Sequence, residues 1–324
     1  MISFLIKPVN SFIAGYSFLK SSLRGKVSVC GMPVTLSVEL TNNCNLNCPE
    51  CLSGSGLMSR ERGFMDTALF QKILDETGPY LLNLNLYLQG EPMMHPRFFF
   101  FLKRSVDLHT TVATNGHFLT TENAEKLSVS GLNRLIVSLD GMDRTSYSSY
   151  RKNGNFDLVM EGTRNVAEAI KRNSSSLKLI IQFLVHKKNE HQIVNVKSFA
   201  REINASLKLK SMQIISKEAH NEWLPSNEKF RRYELNKNRY VIKNPFPDRC
   251  ARLWFNPVIT WDGKVLPCCF DKDAEYIMGD LNEHSFGDIW HSSNYRVFRK
   301  KVLSDRKNVE ICRNCTSGLK NVYC

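Results

Sequence analysis

The 324-residue chain is 42% hydrophobic, carries 44 Lys and Arg against 31 Asp and Glu for a net charge of +13, and has ten cysteines. That suits one large domain and a smaller one, and it excludes a membrane-spanning helix because no apolar run reaches roughly 18 residues. No secretion signal is expected, since the apolar start Met1–Ile6 is broken by Lys7-Pro8 with no small-residue cleavage site after it.

The positive charge speaks to a basic, soluble surface rather than to fold. Clustered C-x2-C spacings without a secretion signal read as metal ligands in a reducing compartment, so a cytoplasmic protein is expected. Basic residues concentrate in Lys229, Arg231, Arg232, Lys237, Arg239 and Lys243, and again in Arg296, Arg299, Lys300 and Lys301. Neither group has the aromatic, glycine-punctuated pattern of an RNA-binding motif, so no nucleic-acid partner is expected.

Residues 1–33 form an N-terminal segment in which Phe12, Ile13, Tyr16, Leu19 and Leu23 recur at helical spacing. Two readings are open: a helix packed on the body of the protein, or peripheral membrane contact with Lys7, Lys20, Arg24 and Lys26 toward lipid headgroups. The alternating run Val34–Leu40 reads as a first strand and ends in the polar turn Thr41-Asn42-Asn43. Next comes Cys44-Asn45-Leu46-Asn47-Cys48-Pro49-Glu50-Cys51. Thiolates select zinc, copper(I) or iron–sulfur clusters. A structural zinc site wants four ligands, and no fourth Cys or His stands near. Iron–sulfur clusters are normally held by four cysteines. Three from one loop would leave one iron of a four-iron cluster without a protein ligand.

Further strand patterns lie at Leu82–Leu88, Thr110–Thr114, Arg134–Leu139, Leu177–Val185 and Ser211–Ile215. Helical patterns alternate with them at Asp66–Thr77, Pro96–Val106, Thr121–Ser128, Phe156–Arg172 and Glu190–Ile203, with Asp66 and Thr121 as caps. Such alternation over residues 34–215 predicts an α/β domain with a parallel sheet and right-handed crossovers. Residues 216–249 are charged, contain Pro225, Pro245 and Pro247, and read as a linker with one helix around Asn227–Tyr240.

Residues 250–324 form a second unit. A hairpin over Pro257–Leu266 turns at Asp262-Gly263, and a helix over Ser285–Val302 precedes Cys312-Arg313-Asn314-Cys315. The core of so small a module is expected to be thin, with a metal centre stapling it. Zinc held by four thiols is a competing reading of that centre.

The C-x3-C-x2-C spacing on a loop after a first strand resembles the signature of the radical S-adenosylmethionine (AdoMet) enzymes. The resemblance implies a partial (β/α)6 TIM-like barrel and a [4Fe-4S] cluster on Cys44, Cys48 and Cys51. In the family the open iron is chelated by AdoMet, and a reductant such as flavodoxin or ferredoxin supplies the electron that yields a 5′-deoxyadenosyl radical. The residue before the third Cys is often aromatic in that family and is Glu50 here, so any adenine contact there falls to backbone.

Barrels of this type work at the C-terminal ends of their strands. In Gln89-Gly90-Glu91-Pro92, the resemblance assigns the AdoMet amino group to Gly90 and Glu91. It turns Asn115 toward the same pocket, and Ser138 and Asp140 toward the ribose and carboxylate. A tight turn is the other reading of Asp140-Gly141. Arg151 either pairs with the AdoMet carboxylate or lies on the surface. His186, which shares strand parity with Gln182, faces substrate or is structural.

The C-terminal unit resembles the auxiliary-cluster domain called SPASM, or its shorter "twitch" form, through Gly263-x4-Cys268, Cys312-x2-Cys315 and Cys250. This implies one auxiliary [4Fe-4S] cluster on Cys250, Cys268, Cys312 and Cys315. Cys269 points the other way on an extended chain and reads as a buried thiol. Cys324 is a spare thiol or a replacement ligand.

A fully ligated cluster can accept or pass an electron. The expected activity is therefore that of an oxidoreductase acting on a small molecule, sugar or lipid-linked group, or a rearrangement of one, with substrate and catalytic base unassigned. Peptide modification is the alternative, although the 43 residues before Cys44 are too few for a separate peptide-recognition domain. The non-enzyme alternative is a basic zinc protein on nucleic acid.

Overall fold

A computed structural model describes residues 3–215, 219–237, 239–243 and 247–316. Six parallel strands stand side by side in chain order: β1 (Thr35–Val38), β2 (Asn83–Asn85), β3 (His109–Thr114), β4 (Arg134–Ser138), β5 (Lys178–Val185) and β6 (Ser206–Ser211). The helices between and before them are α1 (Ser3–Arg24), α2 (Leu52–Ser55), α3 (Thr67–Thr77), α4 (Phe98–Arg104), α5 (Thr121–Val129), α6 (Arg144–Tyr150), α7 (Phe156–Arg172) and α8 (Ile193–Glu202). Asp66 caps α3 by accepting from the Ala68 amide at 2.7 Å. The cap of α5 is Thr120, one residue before the expected Thr121, because its hydroxyl accepts from the Asn123 amide at 3.2 Å.

Strand residues alternate between two faces. Leu36, Val38, Val112, Val137, Ile181 and Phe183 share one core with Phe70, Ile73, Val159 and Val166 of the helices. Residues of opposite parity, among them Ser37, Asn85, Thr111, Ser138 and Gln182, line the inner face of the curled sheet.

β6 begins five residues earlier than the expected Ser211–Ile215. Its run Leu207-Lys208-Leu209-Lys210 sends the leucines to the helix-side core and both lysines to the inner face. Met212 and Ile214 instead join a second buried cluster with Leu46, Cys48, Tyr150 and Trp223.

The linker segment contains α9 (His220–Trp223) and, among the described residues, only a single 3-10 turn at Glu228–Phe230 within the expected helix Asn227–Tyr240. In its place stands the hairpin β7 (Tyr233–Asn236) and β8 (Arg239–Ile242), whose Tyr240, Val241 and Ile242 suit a strand. Beyond it lie α10 (Arg252–Phe255), β9 (Val258–Ile259), β10 (Lys264–Leu266) and β11 (Gly279–Asp280). The β9–β10 hairpin turns at Gly263, with φ of 91°. It is not confined to a separate module: β9 pairs in parallel with β1, Ser37 opposite Val258, and so extends one sheet to nine strands.

The helix expected over Ser285–Val302 is two, α11 (Phe286–His291) and α12 (Ser293–Asp305). It breaks at Ser292, whose hydroxyl accepts from the Tyr295 amide at 3.2 Å. A four-residue helix, α13 (Glu310–Arg313), follows. The core here is not thin: Trp254, Phe286, Trp290 and Tyr295 are all buried. The Arg299 guanidinium lies 4.2 Å from the Trp290 ring centroid and 3.8 Å from that of Tyr295, and donates to the Leu253 and Trp290 carbonyls. Burial pulls its pKa down to about 10. Among the described residues, no helix is long and apolar enough to cross a membrane.

Just past β1, the fully buried Glu39 receives two 2.9 Å hydrogen bonds from Arg60. Burial raises the Glu39 pKa, with Arg60 opposing. Removing one partner of a buried pair leaves an uncompensated charge. Arg60→Met should therefore cost roughly 3–5 kcal/mol in urea unfolding. That deficit should shrink as pH falls and Glu39 becomes neutral, and Glu39→Gln added to Arg60→Met should restore part of it.

Candidate active site and auxiliary cysteine cavity

The loop from Cys44 to Cys51 leaves β1 at its C-terminal end. It is anchored by the Asn47 amide, which donates to the Lys152 carbonyl at 3.0 Å, and by the turn from the Cys51 amide to the Cys48 carbonyl at 3.3 Å. α2 packs against it so closely that a Cβ on Gly54 would lie 2.6 Å from the Cys48 nitrogen. The three thiols lie within electrostatic reach of one another, and burial raises the pKa of Cys44 and lifts that of Cys48 to about 11.

Polar side chains surround these sulfurs. The Asn115 side-chain nitrogen is 3.9 Å from Cys44 Sγ and donates to Asn45 Oδ1 at 2.8 Å. Gln89 Oε1 is 3.9 Å from Cys51 Sγ. Arg151 Nη1 is 3.8 Å from Cys48 Sγ. Arg151 is therefore not a surface residue. Its Nε donates to Asp140 Oδ2 at 2.7 Å, while Asp140 Oδ1 accepts from the Leu184 amide at 2.7 Å. Asp140 thus serves both as the turn after β4 and as the partner of an arginine beside the thiols.

Glu91 is buried, and its carboxylate accepts from Thr114 Oγ1 at 2.8 Å, the Asn115 amide at 2.6 Å and the Met93 amide at 3.1 Å. Burial still lifts its pKa to about 7. The side chain is spent on tying β2 to β3, while the Gly90 amide donates to Ser53 Oγ at 3.0 Å, the Glu91 amide to the Asn43 carbonyl at 2.7 Å, and the Glu91 carbonyl accepts from the Met94 amide at 3.1 Å. Gly90, at φ 74°, approaches the carbonyls of Thr41 and Asn43 so closely that an added Cβ would lie 2.5 and 2.6 Å from them.

Ser138 lies on the inner face opposite Gln182. Glu50 turns away, accepting from the Ile215 amide at 2.5 Å. His186 is fully buried between Tyr150 and Trp223, with burial holding its pKa down at about 3, so it is a neutral packing residue.

The second group closes around a different space. Cys250, Cys268, Cys312 and Cys315 line one cavity whose other walls include Phe270, Phe298 and Val302. Arg306 Nη2 is 3.7 Å from Cys315 Sγ. Four soft donors, an apolar wall and an adjacent cation fit an anionic thiolate-ligated cluster. Cys269 is outside this lining and only half-buried, not the buried thiol expected. It sits 3.5 Å from Arg252 Nη1 and faces Tyr87 and Lys210 on the barrel's inner side. Cys324 lies outside the described residues.

Sequence reasoning missed Lys208, Lys210 and Lys272. Lys272 donates to Gln213 at 2.9 Å and is within electrostatic range of both Cys51 and Cys269. The lysine alternation in β6 carried the signal for the first two, but the strand was placed after it.

Residues 38–200 match the radical SAM superfamily and residues 250–316 match SPASM, an iron–sulfur cluster-binding domain. The chain belongs to the radical SAM superfamily and carries a SPASM domain, so a [4Fe-4S] cluster, AdoMet and auxiliary-cluster chemistry come with it.

An AdoMet-dependent heme synthase of Methanosarcina barkeri is 29% identical over 55% of this chain, which spans only 50% of that enzyme. The PqqA peptide cyclase of Gluconobacter oxydans is 26% identical over 87% of this chain and 82% of its own length. A 2-deoxy-scyllo-inosamine dehydrogenase of Niallia circulans is 22% identical over 87% and 92%. In fold, Streptococcus suis SuiB bound to AdoMet superposes at a TM-score of 0.64 with 18% identity, covering 95% of this chain and 77% of that one.

Substituting Gly90→Ala should displace the start of the cysteine loop, because the added methyl meets backbone rather than a flexible side chain. The expected result is a fold retained by circular dichroism with AdoMet binding weakened at least tenfold in equilibrium dialysis of the iron-loaded protein; unchanged binding would show that the turn does not set the loop.

Proposed function

We propose that the protein is a dehydrogenase-type radical SAM enzyme oxidising a small molecule, sugar or lipid-linked substrate, with Cys44, Cys48 and Cys51 holding the AdoMet cluster. Cys250, Cys268, Cys312 and Cys315 hold a single auxiliary cluster. When bound, these groups and AdoMet supply a 5′-deoxyadenosyl radical on one side of the substrate and an acceptor for one electron on the other.

The observation that carries this reading is the enclosure of four thiols in one cavity: a centre so ligated has no corner for substrate and serves electron transfer. The backbone of Gly90 and Glu91 receives the AdoMet amino group, Asn115 and Ser138 face the same pocket, and Arg151, held by Asp140 through Nε and Nη2, offers Nη1, the nitrogen beside Cys48, to the carboxylate. A flavodoxin or ferredoxin is the reductant, in the cytoplasm.

Between the two cysteine groups the inner wall is cationic. Lys208 and Lys210 stand on it, with Arg232, Lys272 and the Cys269 thiol also facing Lys210, which supports a substrate bearing an anionic group. Burial and the neighbouring cations bring the Lys210 pKa down to about 8, which suits a general base taking the proton that accompanies substrate oxidation. Lys210 would take the proton, while AdoMet and the auxiliary cluster, when bound, would supply the acceptors for the hydrogen atom and the electron.

Peptide modification is the second reading, favoured by the similarity to a peptide cyclase. Assay against sugar-phosphate and peptide panels separates the two.

Any of Cys44→Ala, Cys48→Ala or Cys51→Ala should abolish 5′-deoxyadenosine formation from AdoMet and dithionite. Cys312→Ala should spare its formation and block oxidised product; intact turnover in that variant would remove the electron-acceptor role.

With Lys210→Gln, 5′-deoxyadenosine should persist while product formation falls by about 10²-fold or more. The wild-type product rate should rise with pH through about 8, where Lys210 loses its proton, and the variant should lose that rise.

A further inference from the structure

The amphipathicity of α1 is reversed relative to a helix at home on a water-soluble surface. Such a helix buries its apolar stripe and exposes its polar face. Here the most buried positions are Asn10, Ala14, Ser17 and Ser21, with Phe18 the one large apolar anchor, packed on Trp254 and Phe255. Asn10 donates to the Met32 carbonyl at 3.0 Å and accepts from the Met32 amide at 2.8 Å. Ser17 accepts from the Cys30 amide at 3.0 Å, and Ser21 exchanges hydrogen bonds with Ser28 at 2.9 and 3.0 Å. These polar residues hold the returning chain.

The outward side is Leu5, Val9, Phe12, Tyr16, Leu19 and Leu23, each between 52% and 77% exposed. Their spacing of four, three, four, three and four residues keeps them on one stripe along the whole helix. Lys20, Arg24 and Lys26 border the stripe's C-terminal half, with Lys20 Nζ 5.8 Å from the Tyr16 ring centroid. No Asp or Glu occurs before Glu39.

We propose that α1 docks the protein on an anionic lipid bilayer, its six-residue apolar stripe lying in the headgroup–acyl boundary and its cations against lipid phosphates. Apolar area and basic charge on one interfacial helix are the two components of such binding. The charge favours lipid over a second copy of this chain: α1 has only cations, so a paired copy would set like charges together with no acidic partner across the seam.

Docking has a direction. α1 packs on the Gly78–Tyr80 turn leading into β2 and on α10 leading into β9. Those elements enter their strands, whereas the cysteine loop leaves β1, so the helix sits at the end of the barrel away from Cys44, Cys48 and Cys51. The attached protein therefore presents its cysteine loop to solution, and attachment is independent of AdoMet chemistry.

The test is flotation of the full iron-loaded chain with vesicles of phosphatidylglycerol and phosphatidylcholine in equal parts, beside phosphatidylcholine alone. Expected are co-flotation with the anionic vesicles only and its loss in Phe12→Glu and in Leu19→Glu. Iron content, circular dichroism and 5′-deoxyadenosine formation should be unchanged in both variants. Lys20→Glu combined with Arg24→Glu should weaken partition about tenfold or more. No flotation, equal flotation with neutral vesicles, or flotation surviving Phe12→Glu and Leu19→Glu overturns the proposal. So does self-association in vesicle-free buffer that those variants abolish, which would make the stripe a contact between copies.

Discussion

Buried carboxylates at the strand ends organise the site. Glu39 follows β1, Glu91 follows β2 and Asp140 follows β4, and each is fully or almost fully out of water. A buried carboxylate must find donors or lose its charge. Glu39 takes Arg60, Glu91 takes Thr114 and two backbone amides, and Asp140 takes Arg151 and the Leu184 amide. The donors come from the segments flanking the thiols, so satisfying the acids also fixes the floor and walls around Cys44, Cys48 and Cys51. Arg151 is the clearest case: its charge is held by Asp140 while its other edge lies against Cys48.

The same sheet carries the second cysteine group. Because β9 pairs with β1, the hairpin that leads to Cys268 is an extension of the barrel rather than an appendage. Cys268 and Cys269 sit in a bend and turn just past β10, closed by the Asp271 amide donating to the Cys268 carbonyl at 3.2 Å, and not on the extended chain expected. One enters the four-thiol cavity, and the other turns to the inner face with Arg252, Tyr87 and Lys210. The space between the two groups is lined by lysines, a composition that apolar core packing does not require.

Much of this was legible in the residues. The order of strands and helices, the span Phe156–Arg172 and the Asp66 cap follow from periodicity and capping chemistry. What was not legible depended on partners distant in sequence. Glu91 looks like a ligand-facing acid until Thr114 and Asn115 are brought beside it. Arg151 reads equally as surface or site until Asp140 is placed. The β6 strand was misplaced because Met212-Gln213-Ile214-Ile215 looks more strand-like than Leu207-Lys208-Leu209-Lys210, and only a polar lumen makes the lysine alternation sensible. Likewise the linker helix gave way to a hairpin, and Ser292 split a helical pattern by capping the next one.

Two separate sets of cysteines, one of three thiols and one of four, are proposed each to hold their own iron–sulfur centre. Iron and zinc analysis of anaerobically reconstituted protein decides whether both sets bind iron. About eight irons per chain are expected in the wild type, from four per cluster. About four are expected both when Cys44, Cys48 and Cys51 are replaced by Ala and when Cys312 and Cys315 are. Stoichiometric zinc in place of iron, or loss of all iron from either variant with its fold intact, would contradict the two-centre proposal.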